Sequence, residues 1–405
     1  MAVILQHWRE AATLILVCRH GRPKRGPEIT LSTPTTTSGD KLKRNFDYKI
    51  LMVKRSGKSK FMPSTYVFPG GVASDSDFSS EWCDLFQESG VDLSKWPQAS
   101  SSTVQPSHLL SPMLTRQRDA QFSAVPADVA FRVCAIRETF EESGVLLVRS
   151  TASPSLTKAM SKFSQQLPIS ASLCGKLDEE VLSEWRRAVQ KDPGQFLKLC
   201  KTQNFLPDIW SLYDWCNWLT PVGRFKKQNR RFDTAFYLSV LDDIPEFVKH
   251  DSREIVHTQW STPLEVFQSF RAGTLWVAPP QLYELARLIQ FSDASDIADF
   301  ASKRSKYHMK RWMSITLSAK DGLVDILPGD YLYPKEVDWE EPIQSQDLNK
   351  TLEELKQTSP KNRVEFHGPF DVRLCCDFDH SPEHISPVSE SDLVSLDVHP
   401  PTAKL

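Results

Sequence analysis

The 405-residue sequence lacks a surplus of either charge, a long hydrophobic run and a cysteine pair at metal-binding spacing. Lys and Arg together number 49 and Asp and Glu 51, which gives a net charge of -2. This balance provides no global attraction for nucleic acid or for an anionic membrane. We therefore expect neither nucleic acid nor a membrane surface as a partner.

The eight cysteines are scattered, without a CxxC pair or a Cys/His cluster at zinc-finger spacing. Scattered cysteines are typical of reduced thiols in an intracellular protein. The apolar run at residues 11–18 is too short to cross a bilayer, and the N-terminal region lacks the order of regions of a signal peptide. We expect no membrane span and assign no cysteine to a metal.

Apolar runs and helical patterns alternate along the chain, which predicts a mixed α/β protein. Runs at 11–18, 48–54, 145–148, 233–241 and 254–260 predict strands, and a helix is expected from Pro126 to a left-handed cap at Gly144. Residues 72–125 are rich in Ser, Asp, Gln and Pro, which indicates an insertion. The segment 156–219 is predicted to be mostly helical, with its tryptophans in a helical core rather than stacked on a base.

The C-terminal part combines helix signals with a polar tail. Thr262, Pro263 and Glu265 form a capping box, further helices are predicted at 280–291 and 294–312, and short strands at 322–332. From about residue 381 the chain is rich in Pro, Ser and acidic residues, which predicts a flexible tail.

Three carboxylates crowd one turn of the helix expected after Pro126. At positions i, i+3 and i+4, Glu138, Glu141 and Glu142 share one face and repel one another unless something neutralises them. Mg²⁺ or Mn²⁺ would do so, because hard cations prefer oxygen ligands and commonly bridge carboxylates to phosphates. For an isolated ExxEE pattern, a solvated surface helix is the better interpretation, so the surrounding residues must decide.

The surrounding residues resemble a known motif. The string RETFEESGV at 137–145 resembles the distal half of the Nudix box, REUxEExGU with U apolar, except that Thr139 replaces an apolar residue. A strand exit with the sequence YVFPGG at 66–71 is its expected partner. The resemblance implies a Nudix α/β/α sandwich with a mixed sheet.

This resemblance also implies a division of the chain. We expect a Nudix hydrolase domain at 1–292 with insertions at about 72–125 and 150–217, a C-terminal extension at 293–380 packed on it, and a flexible tail at 381–405. Gly71 lies far upstream of Arg137, so the first insertion splits the box. Asp77 is a weak candidate for the first glutamate of the box, and Asp128 a weaker one.

Longer strings narrow the resemblance to the Nudix branch of peroxisomal coenzyme A diphosphatases. They are KRSGKSKFMPSTYVFPGG at 54–71, WLTPVGRFKKQNRRFDTAFYL at 218–238, GTLWVAPPQLYEL at 273–285 and LPGDYLYP at 327–334. The resemblance implies hydrolysis of CoA or acyl-CoA to (acyl-)4′-phosphopantetheine and adenosine 3′,5′-bisphosphate. Other linked nucleoside diphosphates, such as ADP-ribose, NADH or a nucleotide sugar, and a non-catalytic nucleotide-binding scaffold remain alternatives.

The same resemblance assigns roles to the box residues. Glu138, Glu141 and Glu142 would hold the cations, with the carbonyl of Gly71, and Arg137 would orient the carboxylates. The base would be one of these glutamates or a downstream acid such as Glu254.

Two basic segments are candidates for binding the phosphates of the substrate. One contains Arg230 and Arg231, and the other Lys54 and Arg55. For the first, a solvated basic loop is at least as good an interpretation.

The tripeptide Ala403, Lys404 and Leu405 matches the small-basic-leucine pattern of a peroxisomal address, which predicts an import receptor as partner and the peroxisome as location.

Overall fold

The computed structural model describes residues 8–21, 45–59, 61–97, 110–175, 177–221, 231–245, 248, 254–339, 348–368 and 370–389. Its strands are β1 (Arg9–Arg19), β2 (Tyr48–Arg55), β3 (Tyr66–Val67), β4 (Gly70–Val72), β5 (Val148–Ser150), β6 (Phe205–Pro207), β7 (Tyr213–Leu219), β8 (Phe232–Leu241), β9 (Ile255–Ser261), β10 (Arg311–Trp312), β11 (Ile315–Ala319), β12 (Gly322–Ile326), β13 (Asn362–Phe366) and β14 (Val372–Cys376). Its helices are α1 (Glu81–Glu88), α2 (Pro112–Thr115), α3 (Ala127–Ser143), α4 (Pro154–Ser164), α5 (Glu179–Lys191), α6 (Gln195–Gln203), α7 (Pro263–Arg271), α8 (Pro279–Leu288), α9 (Ala294–Arg304) and α10 (Leu352–Leu355).

A mixed sheet lies between two helical layers. Its strand order is β10-β7-β8-β1-β2-β3, with β4 beside β1 and β9 beside β2. β1 runs parallel to β8 and antiparallel to β2. Successive side chains of a strand point to opposite faces, so Leu14 and Leu16 join the core formed with α3, whereas Ile15 and Val17 join the core formed with α7, α8 and α9. The predicted α/β/α sandwich is confirmed.

The described residues of the segment that splits the Nudix-like box pack into the layer of α3. In α1, Trp82 and Phe86 are buried, and their rings lie 6.0 and 5.9 Å from those of Phe196 and Trp210. These contacts join the segment to α6 and to the turn after β6. The described parts of this segment, 72–97 and 110–125, therefore belong to the same core as α3.

The prediction that 156–219 is mostly helical is wrong at its C-terminal end. After α6 the chain forms β6 and then β7, a fully buried strand of the central sheet. Such a strand shows no alternation of polar and apolar residues, which explains why the pattern was ambiguous. Trp215 and Trp218 thus lie in the sheet core rather than a helical core, and both indole nitrogens donate to the carboxylate of Glu284.

Other predicted boundaries also shift. The strand expected at 145–148 begins only at Val148 and pairs with β6. The helix expected at 294–312 ends at Arg304, and Trp312 instead lies on β10, which pairs with β7. In both places a short strand forms against a strand that is distant in sequence, β6 in the first case and β7 in the second.

The C-terminal part forms a second, antiparallel sheet with the order β11-β12-β13-β14. Residues 381–389, which fall in the predicted flexible tail, pack on the main domain. The ring of His384 lies 4.5 Å from that of Trp215, and the backbone N–H of Val388 donates to the carbonyl of Ala286. Within the described parts of the chain, no helix has the length and apolar character needed to cross a membrane.

Candidate active site

The carboxylates lie on the C-terminal half of α3. The helix starts after Pro126 and ends at Gly144, whose φ of 80° gives the left-handed cap that the sequence predicted. Val129, Val133 and Ile136 are fully buried on its apolar side. Burial of this side points Glu138, Glu141 and Glu142 towards the exit of β3 and β4.

Arg137 connects the carboxylates of the site. Its Nε and Nη2 each donate to Asp77 at 2.8 Å, and its Nη1 donates to Glu138 at 2.8 Å and to Glu141 at 2.6 Å. Burial opposes the charge of Arg137, but Asp77 and Glu138 outweigh it and hold the pKa of Arg137 well above its usual range. Arg137 therefore fixes two of the three glutamates by charge-assisted hydrogen bonds.

The structure distinguishes the two candidates for the first acid of the box. Asp77 lies six residues after Gly71, in a 3₁₀ turn, and forms the bidentate ion pair with Arg137. Asp128 instead bonds to Trp96, Arg132 and Tyr237, away from the glutamates. Asp77 thus contacts the box arginine, and the suggestion of Asp128 is wrong.

The Pro-Gly-Gly exit touches α3 directly. The N–H of Gly70 donates to Glu142 at 2.9 Å. A Cβ on Gly71 would lie 2.4 Å from Oε2 of Glu138, closer than atoms can approach. Any other residue at this position would displace the carboxylate of Glu138, which explains why a glycine lies here.

The environment raises the pKa of all three glutamates. Burial is the main cause in each case, and it raises the pKa of Glu141 to about 7 and that of Glu142 well above its usual range. The charge of Glu138 adds to the shift of both neighbours. A cluster that resists ionisation in this way is suited to a bound cation, which would favour the charged forms.

The oxygen donors of this site are of the type that a hard divalent ion prefers. Carboxylate oxygens of Glu138, Glu141 and Glu142 and the backbone of Gly71 lie together. Among the described residues, however, no group of three or more His, Cys, Asp or Glu side chains is arranged so that it could hold a metal ion. Glu138 and Glu141 bond to Arg137 in this arrangement, so an ion bound here would take much of its shell from water and phosphate oxygens.

A cavity of about 430 Å³ opens beside the glutamates. Arg55 lines it and donates to Glu254, another lining residue, at 2.9 Å. Lys54 does not line it, and its Nζ lies 5.6 Å from the centre of the Tyr66 ring. The structure therefore brings Arg55 and Glu254 to the site but not Lys54.

The second basic segment is only partly described. Arg230 lies outside the described residues, as do Ala403, Lys404 and Leu405. Arg231 is buried away from the cavity, and its Nε donates to the carbonyl of Thr220. Its contacts suit a structural role in holding the start of β8 to the end of β7.

Sequence reasoning missed two polar residues that line the same cavity, Gln281 and Asp325. The Pro-Pro-Gln start of α8 was a signal for a fixed side-chain position, but the string alone does not show what that side chain faces. Asp325 had no local signal, because only the tertiary structure brings β12 to this cavity.

Fold and site together define a Nudix protein: an α/β/α sandwich with a glutamate-bearing box helix against a Pro-Gly-Gly strand exit. The chain belongs to the NUDT19 family, because the NUDT19 Nudix domain matches residues 8–288 and the NUDT19 C-terminal domain matches residues 316–377. Nudix hydrolases generally use divalent metal ions.

Two relatives and one solved structure are similar to most of this chain. "Acyl-coenzyme A diphosphatase NUDT19" of Gallus gallus is 38% identical over 390 residues, which covers 95% of this chain and 96% of the relative. The protein of the same name from Homo sapiens is 36% identical, with 88% of each chain covered. A solved NUDIX hydrolase from Alicyclobacillus acidocaldarius is similar at 20% identity, with a TM-score of 0.44, over 73% of this chain and 96% of that chain.

Proposed function

We propose that the protein hydrolyses the diphosphate of CoA and acyl-CoA, giving (acyl-)4′-phosphopantetheine and adenosine 3′,5′-bisphosphate. The observation that carries this proposal is a set of three glutamates that line one cavity, two of them bonded to Arg137 and the third to Gly70. The names of the relatives supply the substrate class, since the chicken and human proteins are both acyl-coenzyme A diphosphatases.

Mg²⁺ or Mn²⁺ is the proposed cofactor, held by Glu138, Glu141 and Glu142 with the carbonyl of Gly71. When bound, it would neutralise charge on the diphosphate and lower the pKa of water at the site. Arg137 keeps two of the carboxylates in place, and the N–H of Gly70 holds the third.

Arg55 is proposed to bind a phosphate of the substrate. It lines the cavity on the side of Glu254, and its guanidinium can form bidentate hydrogen bonds with phosphate oxygens. Its present bond to Glu254 would orient it towards the cavity. Glu254 and the glutamates of α3 are the available bases for deprotonating water.

A substrate panel tests the proposal. Purified protein is assayed with CoA, an acyl-CoA, ADP-ribose, NADH and a nucleotide sugar, with Mg²⁺, with Mn²⁺ and with EDTA. We expect the highest kcat/KM for CoA or acyl-CoA, and no turnover in EDTA. A higher kcat/KM for ADP-ribose, NADH or the nucleotide sugar would show that the substrate is another linked nucleoside diphosphate rather than CoA. Nucleotide binding without hydrolysis would indicate a non-catalytic scaffold.

We also propose that Ala403, Lys404 and Leu405 direct the protein to peroxisomes. The support is the match of this tripeptide to the small-basic-leucine pattern. Deleting Leu405 from an N-terminally tagged protein should release it from peroxisomes, whereas unchanged peroxisomal fluorescence would refute the role of the tripeptide.

A further inference from the structure

Two domains contribute residues to the lining of this cavity, and the lining residues Gln281 and Asp325 are together called the second wall. Gln281 lies on α8 within the match to the NUDT19 Nudix domain, and Asp325 lies on β12 within the match to the C-terminal domain. Both line the same cavity as Glu138 and Glu142. The C-terminal sheet therefore forms part of the space in which a substrate must lie.

Gln281 presents a buried hydrogen-bond acceptor to this space. The side chain is only 8% exposed, and among the described residues no donor reaches its Oε1. Pro279 and Pro280 fix the start of α8, so Gln281 occupies the third helical position with little freedom. Buried acceptors are seldom left unsatisfied, and a donor on a bound ligand would supply the missing bond.

Asp325 adds acceptors to the same wall. It is 2% exposed, and one of its oxygens accepts the hydroxyl of Thr316 at 2.6 Å. A carboxylate offers about four lone-pair sites, so it can accept from several donors at once. Because amide and carboxylate oxygens both accept from N–H groups, the second wall suits a part of the substrate that carries such a donor.

We propose that Gln281 and Asp325 bind an N–H donor of the substrate's organic part, and that the C-terminal domain thereby acts in substrate selection. The inference rests on the proposed function for the identity of the substrate. CoA carries such donors in two places, the amides of its pantetheine arm and the exocyclic amine of its adenine. Either source has the shared chemistry that the wall requires.

The test uses the full-length variants Gln281→Leu and Asp325→Asn. The second change is conservative, because the amide oxygen of an asparagine side chain can still accept the hydroxyl of Thr316, so the fold should persist. Gln87→Leu and Asp84→Asn, at exposed positions of α1, are the matched controls. Kinetics with CoA are combined with calorimetric binding of 4′-phosphopantetheine and of adenosine 3′,5′-bisphosphate, measured separately.

We expect Gln281→Leu to raise KM for CoA by about tenfold and to change kcat by less than about threefold. This pattern is expected because the lost contact would be made equally in the bound substrate and in the transition state. Asp325→Asn should act in the same direction. One product should bind about tenfold more weakly, and the other as to wild type. Weaker binding of phosphopantetheine assigns the wall to the pantetheine arm, and weaker binding of the bisphosphate assigns it to adenine.

The inference is overturned if the wild type hydrolyses CoA and both products bind the folded variants as tightly as they bind the wild type. A fall in kcat at constant KM would also overturn it. If the wild type instead prefers ADP-ribose, the proposed function fails by itself. The same variants are then tested for binding of AMP and ribose 5-phosphate, and unchanged affinity for both would overturn the inference on its own terms.

Discussion

Glu142 is a buried carboxylate whose surroundings disfavour its charged form. It is 5% exposed, accepts the N–H of Gly70, and has a pKa raised well above its usual range by burial and by Glu138. At neutral pH, ionising it inside the protein costs more than in the unfolded chain. Removing the charge of Glu142 should therefore affect activity and stability in opposite directions.

Glu142→Gln is expected to lower kcat by more than about 100-fold, above the range for outer-shell partners of a metal. In EDTA at pH 7.5 it should raise the melting temperature by at least about 2 °C, because a neutral side chain removes the cost of a buried charge. The measurements are CoA turnover and thermal unfolding. Glu180→Gln, at an exposed position of α5, is the control, and wild-type turnover in folded Glu142→Gln would refute the role.

Helix α5, which belongs to the helical insertion, contacts the C-terminal end of α3. The last four carbonyls of a helix lack partners within it, and Glu141 supplies one of these in α3. Arg186 and Gln190 of α5 donate to that carbonyl at 2.9 and 2.8 Å. The insertion therefore braces the end of the helix that carries the glutamates.

Arg186→Met is expected to lower kcat and the apparent affinity for Mg²⁺ by about 10-fold, within the range for residues that position a metal ligand. Arg187→Met changes the neighbouring, exposed arginine and should leave both unchanged. The measurement is CoA turnover as a function of Mg²⁺ concentration. Equal effects of the two substitutions would show that the positive charge of α5 matters, and not the bond of Arg186 to the carbonyl of Glu141.

At the scale of the whole molecule, residues 377–389, which follow β14, join the second sheet to the main domain. His380 is buried there against Tyr283, and His384 is partly buried against Trp215. Burial, followed by the charge of Arg287, lowers the pKa of His380 to about 3 and that of His384 well below its usual range. Both histidines are therefore neutral in the folded protein at pH 5.

The unfolded chain binds protons at these histidines below about pH 6.5, whereas the folded chain does not. Stability is thus present above that pH and falls as the pH decreases, by about 1.4 kcal/mol per unit for each histidine. His384→Asn should remove about half of this joint slope between pH 6 and pH 5, measured by urea unfolding. His20→Asn, at an exposed site, is the control, and an unchanged slope in His384→Asn would contradict the prediction.

Local patterns were sufficient for the box helix. The spacing of Glu138, Glu141 and Glu142, the cap at Gly144 and the glycines after β3 are properties of neighbouring residues, and helix geometry converts them directly into a shared face. The alternation of strands and helices likewise predicted the mixed sandwich. These features depend on backbone periods that the sequence displays.

Contacts between distant segments required the tertiary structure. The pairing of Asp77 with Arg137 spans 60 residues, and its existence depends on the path of the intervening insertion. The strand β7 was misread because a buried aromatic run lacks a period. The burial of Arg231 was not evident from the sequence, because charge alone does not reveal burial. The sequence by itself determined which residues could bind a cation and a diphosphate; only packing across the two domains decided that Gln281 and Asp325 face the same cavity.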